Sequence, residues 1–406
     1  MIERRKDSKG RVLKDGEHER ANGTYEYKWR DKIGKRHSVY AKTLDDLRDK
    51  ENDILRETIE GITQKPCNLT INDLFNLWKD VKRGLKGNTL GNYTYIYELF
   101  VLPDFGKMKI VDVKRTDVRR FYNRLHEVRG LKVSTVDSVH TVLHQVIELA
   151  VENEYIRYNP SDNALKELKR ANNDSEKRKA LTLNQQNLFE DFLRKEGKHH
   201  RWYPIFETFL WSGMRCGELT GLRWCDVDFI NNTININHTL AYYSKGRKSG
   251  LILEIHTPKT EAGNRIIPML PRVKEALLME KKMQEDLGIR CNDVINGYTD
   301  FIFVNRFGAV FHQGSLNKVL RRLVRDCNLE IIDANQGIDN LELVPAFSCH
   351  IMRHTFTTRM CEANINMKVM QDVLGHADAE TTMNIYAEAQ KDFKISELEA
   401  LNEFYS

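Results

Sequence analysis

The run Ser348-Cys349-His350-Ile351-Met352-Arg353-His354, followed by Leu374-Gly375-His376 and then Tyr386, is the stretch on which the reading of this chain turns. Ser348 can N-cap a helix beginning at Cys349. Residues three apart share a helix face, so His350 and Arg353 are expected on one side of its first turn. A helix N-terminus carries partial positive charge, which adds to a guanidinium and suits an anion such as phosphate. Asn366 reads as the cap of a second helix, with Val369, Met370 and Val373 along its buried stripe. Gly375 can take the left-handed conformation that ends that helix, leaving His376 just past it. Asp378 is expected to cap a third helix over 379–389, which holds Tyr386 about two turns in.

Taken singly, these are ordinary side chains of a helical bundle. Together, in this order and with ten residues from His376 to Tyr386, they resemble the C-terminal signature of the tyrosine recombinase (phage integrase) family. The resemblance leads to two further motifs. Ser212-Gly213-Met214-Arg215-Cys216-Gly217-Glu218-Leu219 matches the family's first arginine box, and Thr257-Pro258-Lys259-Thr260 its hairpin lysine. The likeness covers roughly residues 180–390. It departs from the family in two places: Ser348-Cys349 stands where Thr-Pro is common, and many relatives have nine residues rather than ten before the tyrosine.

What the resemblance implies is DNA cleavage and strand exchange by a site-specific recombinase. Arg215 and Arg353 would hold the scissile phosphate through planar forks that lysine cannot supply. His350 and His376 would hydrogen-bond its oxygens and shuttle protons, since imidazole titrates near the working pH. Glu218 would support Arg215 from behind, and Lys259 would protonate the leaving 5′-hydroxyl. Tyr386, whose phenol has an ordinary pKa of about 10 and so needs a positive site or a base, would attack and form a 3′-phosphotyrosine. The link retains the energy of the ester, so no ATP, metal or other cofactor is implied. The implied partners are double-stranded DNA, three further copies in a tetramer, an excisionase and a DNA-bending host protein. Phe393, Leu398, Leu401 and Phe404 form an apolar stripe on a tail that the family often donates to a neighbouring protomer. Three other readings compete: an architectural DNA-binding protein with a silent catalytic domain, a type IB topoisomerase, and a zinc site of Cys349, His350, His354 and His376. The last lacks any standard ligand spacing.

Composition sets the outer limits. The 406 residues suffice for two or three domains, and 41% hydrophobic with 30% charged residues is ordinary for a globular protein. The charged opening lacks the apolar segment of a secretory signal, and seven scattered cysteines suit reduced thiols in a cytoplasm. Net charge is only +5, yet residues 1–40 hold twelve Lys or Arg against seven Asp or Glu, while the chain beyond 180 is slightly acidic. Basic lobes ahead of a slightly acidic body suit a DNA clamp.

The predicted fold is multidomain and mainly α: a small N-terminal β-sheet plus helix, a helical core-binding domain, and a mixed α+β catalytic domain. Residues 1–20 read as a flexible lead. Alternation over 24–30 and 36–40 predicts two strands joined at Ile33-Gly34-Lys35, and 44–59 a helix. Arg30, Lys32, Lys35 and Arg36 surround that turn. The sheet resembles in architecture and charge the arm-site-binding domain of integrases from conjugative transposons, giving a domain over 1–65. Helices are predicted over 70–81, 88–102, 116–128 and 134–151, with Asn159-Pro160 closing a core-binding domain of 66–171. Lys82, Arg83, Lys86, Arg119, Arg120 and Lys132 are its candidate phosphate contacts. Polar residues 172–180 read as a linker, and 181–406 as the catalytic domain. There, 181–194 and 202–212 are expected as helices, 233–240 as a strand, and 251–256 with 265–268 as a hairpin whose tip is Glu261-Ala262-Gly263-Asn264.

Overall fold

The computed structural model describes residues 5–30, 36–59, 68–172, 179–246, 250–258, 261–335, 340–376 and 383. Two compact units result, Met1–Ser175 with Lys245–Ser249, and Glu176–Ser244 with Gly250–Ser406.

In the first unit, strands β1 (Glu17–Glu19), β2 (Tyr25–Arg30) and β3 (Arg36–Ala41) form an antiparallel sheet in that order. Helix α1 (Leu44–Ile59) covers one face, burying Leu44, Leu47 and Ile54 against Tyr25, Tyr27 and Ala41. From residue 5 onward the predicted flexible lead is in fact part of this module. Asp7 is buried and accepts from Arg11 Nε at 2.8 Å, and Glu17 of β1 pairs with Arg48 of α1 at 3.0 Å. A buried carboxylate needs such a partner, so the lead is tied down by charge rather than by apolar periodicity. The turn at 33–35 and the linker at 61–67 lie outside the described residues.

Five helices follow: α2 (Ile71–Val81), α3 (Gly87–Ile96), α4 (Arg115–Glu127), α5 (Val133–Glu152) and α6 (Lys166–Ala171). Thr70 and Asp73 cap α2 reciprocally. Helix α3 runs on into a π-helical turn, Tyr97–Val101, where the Tyr97 ring stacks on Phe75 at 3.7 Å. Asn159-Pro160, expected to close the segment, instead leads into α6. With Leu168 its one buried residue, so short a helix leaves no apolar period to read.

The second unit contains α7 (Leu183–Arg194), α8 (Tyr203–Ser212) and α9 (Cys216–Gly221), then strands β4 (Val227–Asp228), β5 (Thr233–Ile236), β6 (Thr239–Ser244), β7 (Leu251–His256) and β8 (Arg265–Pro268). Helices α10 (Pro271–Leu287), α11 (Gln313–Ala334), α12 (Cys349–Glu362) and α13 (Met367–Leu374) complete it. Helix α8 is buried nearly all round, and Phe206 and Phe209 join Phe189, Leu277, Leu320 and Met352 in one core.

The strand pairing differs from the expected hairpin. Leu251–His256 pairs with β6, and Arg265–Pro268 pairs with β5, so 251–256 and 265–268 belong to different sheets. The single strand expected over 233–240 is likewise two. His238 interrupts it, its ring hydrogen-bonded with the Gly221 carbonyl at 2.6 Å, and the chain crosses there from one sheet to the other. Alternation marks a strand but not its partner, which register and neighbouring elements decide.

Candidate active site

Helix α8 ends at Gly213, whose left-handed φ of 64° turns the chain so that Arg215 becomes the N-cap of α9. Glu218, at the third position of α9, reaches back to it. Its carboxylate accepts from the Arg215 backbone N–H at 2.8 Å and from Arg215 Nη1 at 2.8 Å. The same carboxylate accepts from Arg265 of β8, through Nη1 at 3.1 Å and Nη2 at 2.8 Å. Glu218 thus fills its acceptor capacity of about four lone pairs with two arginines. Burial pushes its carboxyl up, but Arg265 and Arg215 outweigh this and hold it below the usual range.

Helix α13 closes the other side. Asn366 caps it by accepting from the Lys368 N–H, and Gly375 ends it at φ 64°, both as the sequence predicts. The buried stripe is Met370 and Leu374, with Val373 partly buried. Val369, expected on that stripe, is 49% exposed, because the face is set by what α13 packs on rather than by hydrophobicity alone. Arg215 Nη2 donates to the Gly375 carbonyl at 2.8 Å, and Arg353 Nη2 donates to that of Leu374 at 2.7 Å. Arg353, deep in α12, also donates from Nη1 to the Gly213 carbonyl at 2.7 Å. These carbonyls at the ends of α8 and α13 are the orphan acceptors of helix termini, here satisfied by guanidinium groups. His376 follows directly.

Three guanidinium groups therefore lie near one carboxylate, and only Arg215 and Arg265 are bonded to it. Burial, and then the charge of Arg215, presses the Arg353 pKa down to about 9. Burial, followed by Arg353, Arg215 and Arg265, pulls His376 down to about 4, so it is a neutral imidazole at pH 7 rather than the near-neutral titrant expected. Uncompensated positive charge of this kind is relieved by an anion, and forked donors suit phosphate. The Arg215 side chain remains 44% exposed, whereas Arg353 is buried.

His350 lies exposed in the first turn of α12, one turn ahead of Arg353. Ser348 occupies the N-cap position without the expected side-chain bond. Asn317 of α11 replaces it, accepting from the Cys349 N–H at 2.9 Å. Among the described residues no three His, Cys, Asp or Glu side chains gather as a metal site. Lys259, Tyr386, the tail and, apart from Met383, the expected helix over 379–389 lie outside the described residues.

Sequence reasoning missed Arg265. Its strand alternates buried and exposed, placing Arg265 and Ile267 inward. A cation at an inward position was the available signal.

Of the candidate phosphate contacts, Arg30 and Arg36 are directly paired across β2 and β3 and both exposed, while Lys32 and Lys35 lie outside the described residues. Lys86 and Lys132 sit at the N-caps of α3 and α5, and Lys82 rests over the Trp78 ring at 5.6 Å. Arg83 donates to the Lys82 carbonyl at 3.2 Å, Arg120 is exposed, and Arg119 is paired with Glu167 at 3.1 Å. No helix among the described residues is long and apolar enough to cross a membrane.

Family models match three stretches of the chain. The phage integrase family matches residues 179–392, the DNA-binding domain of Tn916 integrase matches 1–65, and the N-terminal SAM-like domain of phage integrases matches 70–126. The chain therefore belongs to the phage integrase family, the tyrosine recombinases, and is of the conjugative-transposon type. The transposases of Tn1545 from Streptococcus pneumoniae and of Tn916 from Enterococcus faecalis are each 29% identical to it, over 99% of this chain and 98% of theirs. Among solved structures, that of the Tn1549 transposon integrase with transposon right-end DNA has a TM-score of 0.69 at 26% identity. It covers 82% of this chain and 100% of the other. These matches support neither a silent architectural protein nor a topoisomerase.

Proposed function

We propose that the chain integrates and excises a conjugative transposon through a 3′-phosphotyrosine. The observation that carries this is the convergence of Arg215 and Arg353 on the adjacent carbonyls of Gly375 and Leu374, with His376 next in sequence. In this reading the two guanidinium groups clamp the non-bridging oxygens of one phosphodiester and stabilise the extra negative charge of the pentacovalent phosphorane. His376, as a neutral imidazole, donates to one of those oxygens. The Tyr386 oxygen forms the new bond to phosphorus as the bond to the 5′-oxygen breaks, Lys259 protonates that oxygen, and His350 relays the phenolic proton. Resealing reverses these steps with a 5′-hydroxyl from another strand.

The division of labour follows the sequence reading: 1–65 on arm sites, 66–171 on the core duplex, 172–180 as linker, and 181–406 for chemistry. Arg30 and Arg36, exposed at the end of a two-stranded ribbon, suit phosphate or base contact in a groove. The working form is a homotetramer on element ends and target DNA in the bacterial cytoplasm, with the tail passed between protomers and with an excisionase and a DNA-bending host protein as helpers.

The test is a duplex bearing an element end, nicked so that the cleaved fragment diffuses away. Wild-type chain should accumulate a covalent adduct that digestion assigns to Tyr386 on a 3′-phosphate, and Tyr386→Phe should form none. Absence of adduct with wild-type chain, or attachment through another residue, overturns the proposal.

A further inference from the structure

We infer that Arg265 is a positioning residue of the recombination site, a side chain that ties the Arg215-capped helix α9, the end of α13 and the Glu261–Gly263 turn into a fixed geometry. The inference rests on the phosphoryl-transfer reading above.

Arg265 lies in β8, and its side chain is only 6% exposed. Besides its two bonds to Glu218, Nε donates to the Val373 carbonyl at 2.7 Å, and Nη1 also contacts the Gly263 carbonyl at 3.3 Å. One guanidinium thus reaches α9 through Glu218, the last turn of α13, and the Glu261–Gly263 turn, which begins two residues beyond Lys259 in the sequence. Few side chains can do this. A lysine has three donors at one point, whereas the guanidinium plane presents five in fixed directions.

The surroundings are built to fit it. A Cβ at Gly375 would stand 2.9 Å from Arg265 Nη1 and 2.8 Å from the Ala262 carbonyl oxygen, so glycine at 375 is required by Arg265 as well as by φ. Glu218 is not oriented by Arg215 alone, because that arginine is nearly half open to solvent. The buried, doubly hydrogen-bonded pair with Arg265 fixes the carboxylate first, and Arg215 is then held against a rigid acceptor. The consequence for chemistry is that the Arg265–Glu218 pair acts as one unit.

The experiment compares full-length wild type with Arg265→Gln, Arg265→Lys, Glu218→Gln and the Arg265→Gln/Glu218→Gln double variant. Adduct formation on the nicked duplex is timed in single turnover, together with affinity for the uncut duplex and the thermal midpoint. Arg265→Gln should slow adduct formation about 100-fold while affinity changes by less than about threefold. Because the pair is one unit, the double variant should be no slower than the slower single variant. Should Arg265→Gln not fold, Arg265→Lys, with its charge kept and its fork lost, should still slow the step about tenfold at an unchanged thermal midpoint. In the DNA-free protein, NMR titration of His376 should move up by about one pH unit in Arg265→Gln, since a neighbouring cation has gone. That readout needs no catalysis, so it separates failure of this inference from failure of the phosphotyrosine reading. Multiplicative losses in the double variant, a wild-type rate in either Arg265 variant, or an unmoved His376 titration would overturn it.

Discussion

Arg215 and Arg353, separated by 138 positions in the sequence, donate through their Nη2 groups to neighbouring carbonyls, those of Gly375 and Leu374, at 2.8 and 2.7 Å. Their shared anchor is the C-terminal end of α13, where the helix leaves unpaired acceptors. The two charges are thereby held side by side against their repulsion.

Replacing Arg353 by lysine keeps the charge but leaves the Gly213 or the Leu374 carbonyl unpaired in a buried setting. Stability should fall by about 1–3 kcal/mol, and adduct formation by about 10²–10³-fold. Thermal melts and single-turnover gels check the two parts separately. An unchanged rate would remove Arg353 from the phosphate clamp.

The depressed His376 pKa has a definite sign. The unfolded chain binds the proton near the ordinary 6.5, while the folded site resists it down to about 4. The unfolded state therefore holds more protons between those values, and the contribution of His376 to stability is present above pH 6.5 and lost as pH falls toward 4. Denaturant unfolding of wild type and His376→Asn across that window should differ in slope, the variant being flatter. Phosphate-containing DNA should raise the His376 titration point, which NMR would report.

Lys259 as general acid predicts a chemical rescue. A 5′-bridging sulfur leaves as a thiolate, whose conjugate acid has a pKa of about 8.5 and needs no proton from the enzyme. Lys259→Ala should be slow on the oxygen substrate and recover most of the wild-type rate on the sulfur one. Equal defects on both substrates would reassign the proton to another group.

Gly375→Ala meets two obstacles, the φ of 64° and the Ala262 carbonyl oxygen at 2.8 Å from the new Cβ. The expected cost is about 1–3 kcal/mol, with slower cleavage because both arginine anchors shift. Gly10→Ala, which has the same sign of φ but nothing within 4 Å of a Cβ, should show a smaller loss in stability and none in cleavage.

Glu207, almost wholly buried in α8 and paired with Arg272 at 3.1 Å, is pushed up to about 7 by burial and then by Glu190. A raised carboxyl pKa favours the folded state at low pH. The benefit is complete below about 4.5 and is lost as pH rises through 7, a change on the order of 3 kcal/mol. Glu207→Gln should flatten the fall in thermal midpoint between pH 5 and 8. An identical pH dependence in the variant would show that Glu207 does not control it.

The elements with strong local signals were legible before any coordinates. The Asn366 cap and the Gly375 stop of α13 follow from residue chemistry within a few positions, as do the bounds of α1 and the break after Gly213. The β7 and β8 partners were not legible, since alternation is the same whichever strand lies alongside. Asp7 and Glu17 escaped notice because charged residues that bury through ion pairs carry no apolar period.

The sequence by itself singled out Arg215, Glu218, Arg353 and His376 as candidates, from motif and order, and these are residues that the fold brings together. Only the tertiary structure decided how their charges are balanced. Arg265 enters from a strand 47 positions beyond Glu218, and the carbonyls that orient both arginines belong to helix ends remote from them. The physical reason is that residue type and local spacing fix what a side chain can do, whereas its pKa and direction depend on charges and acceptors that only folding brings near.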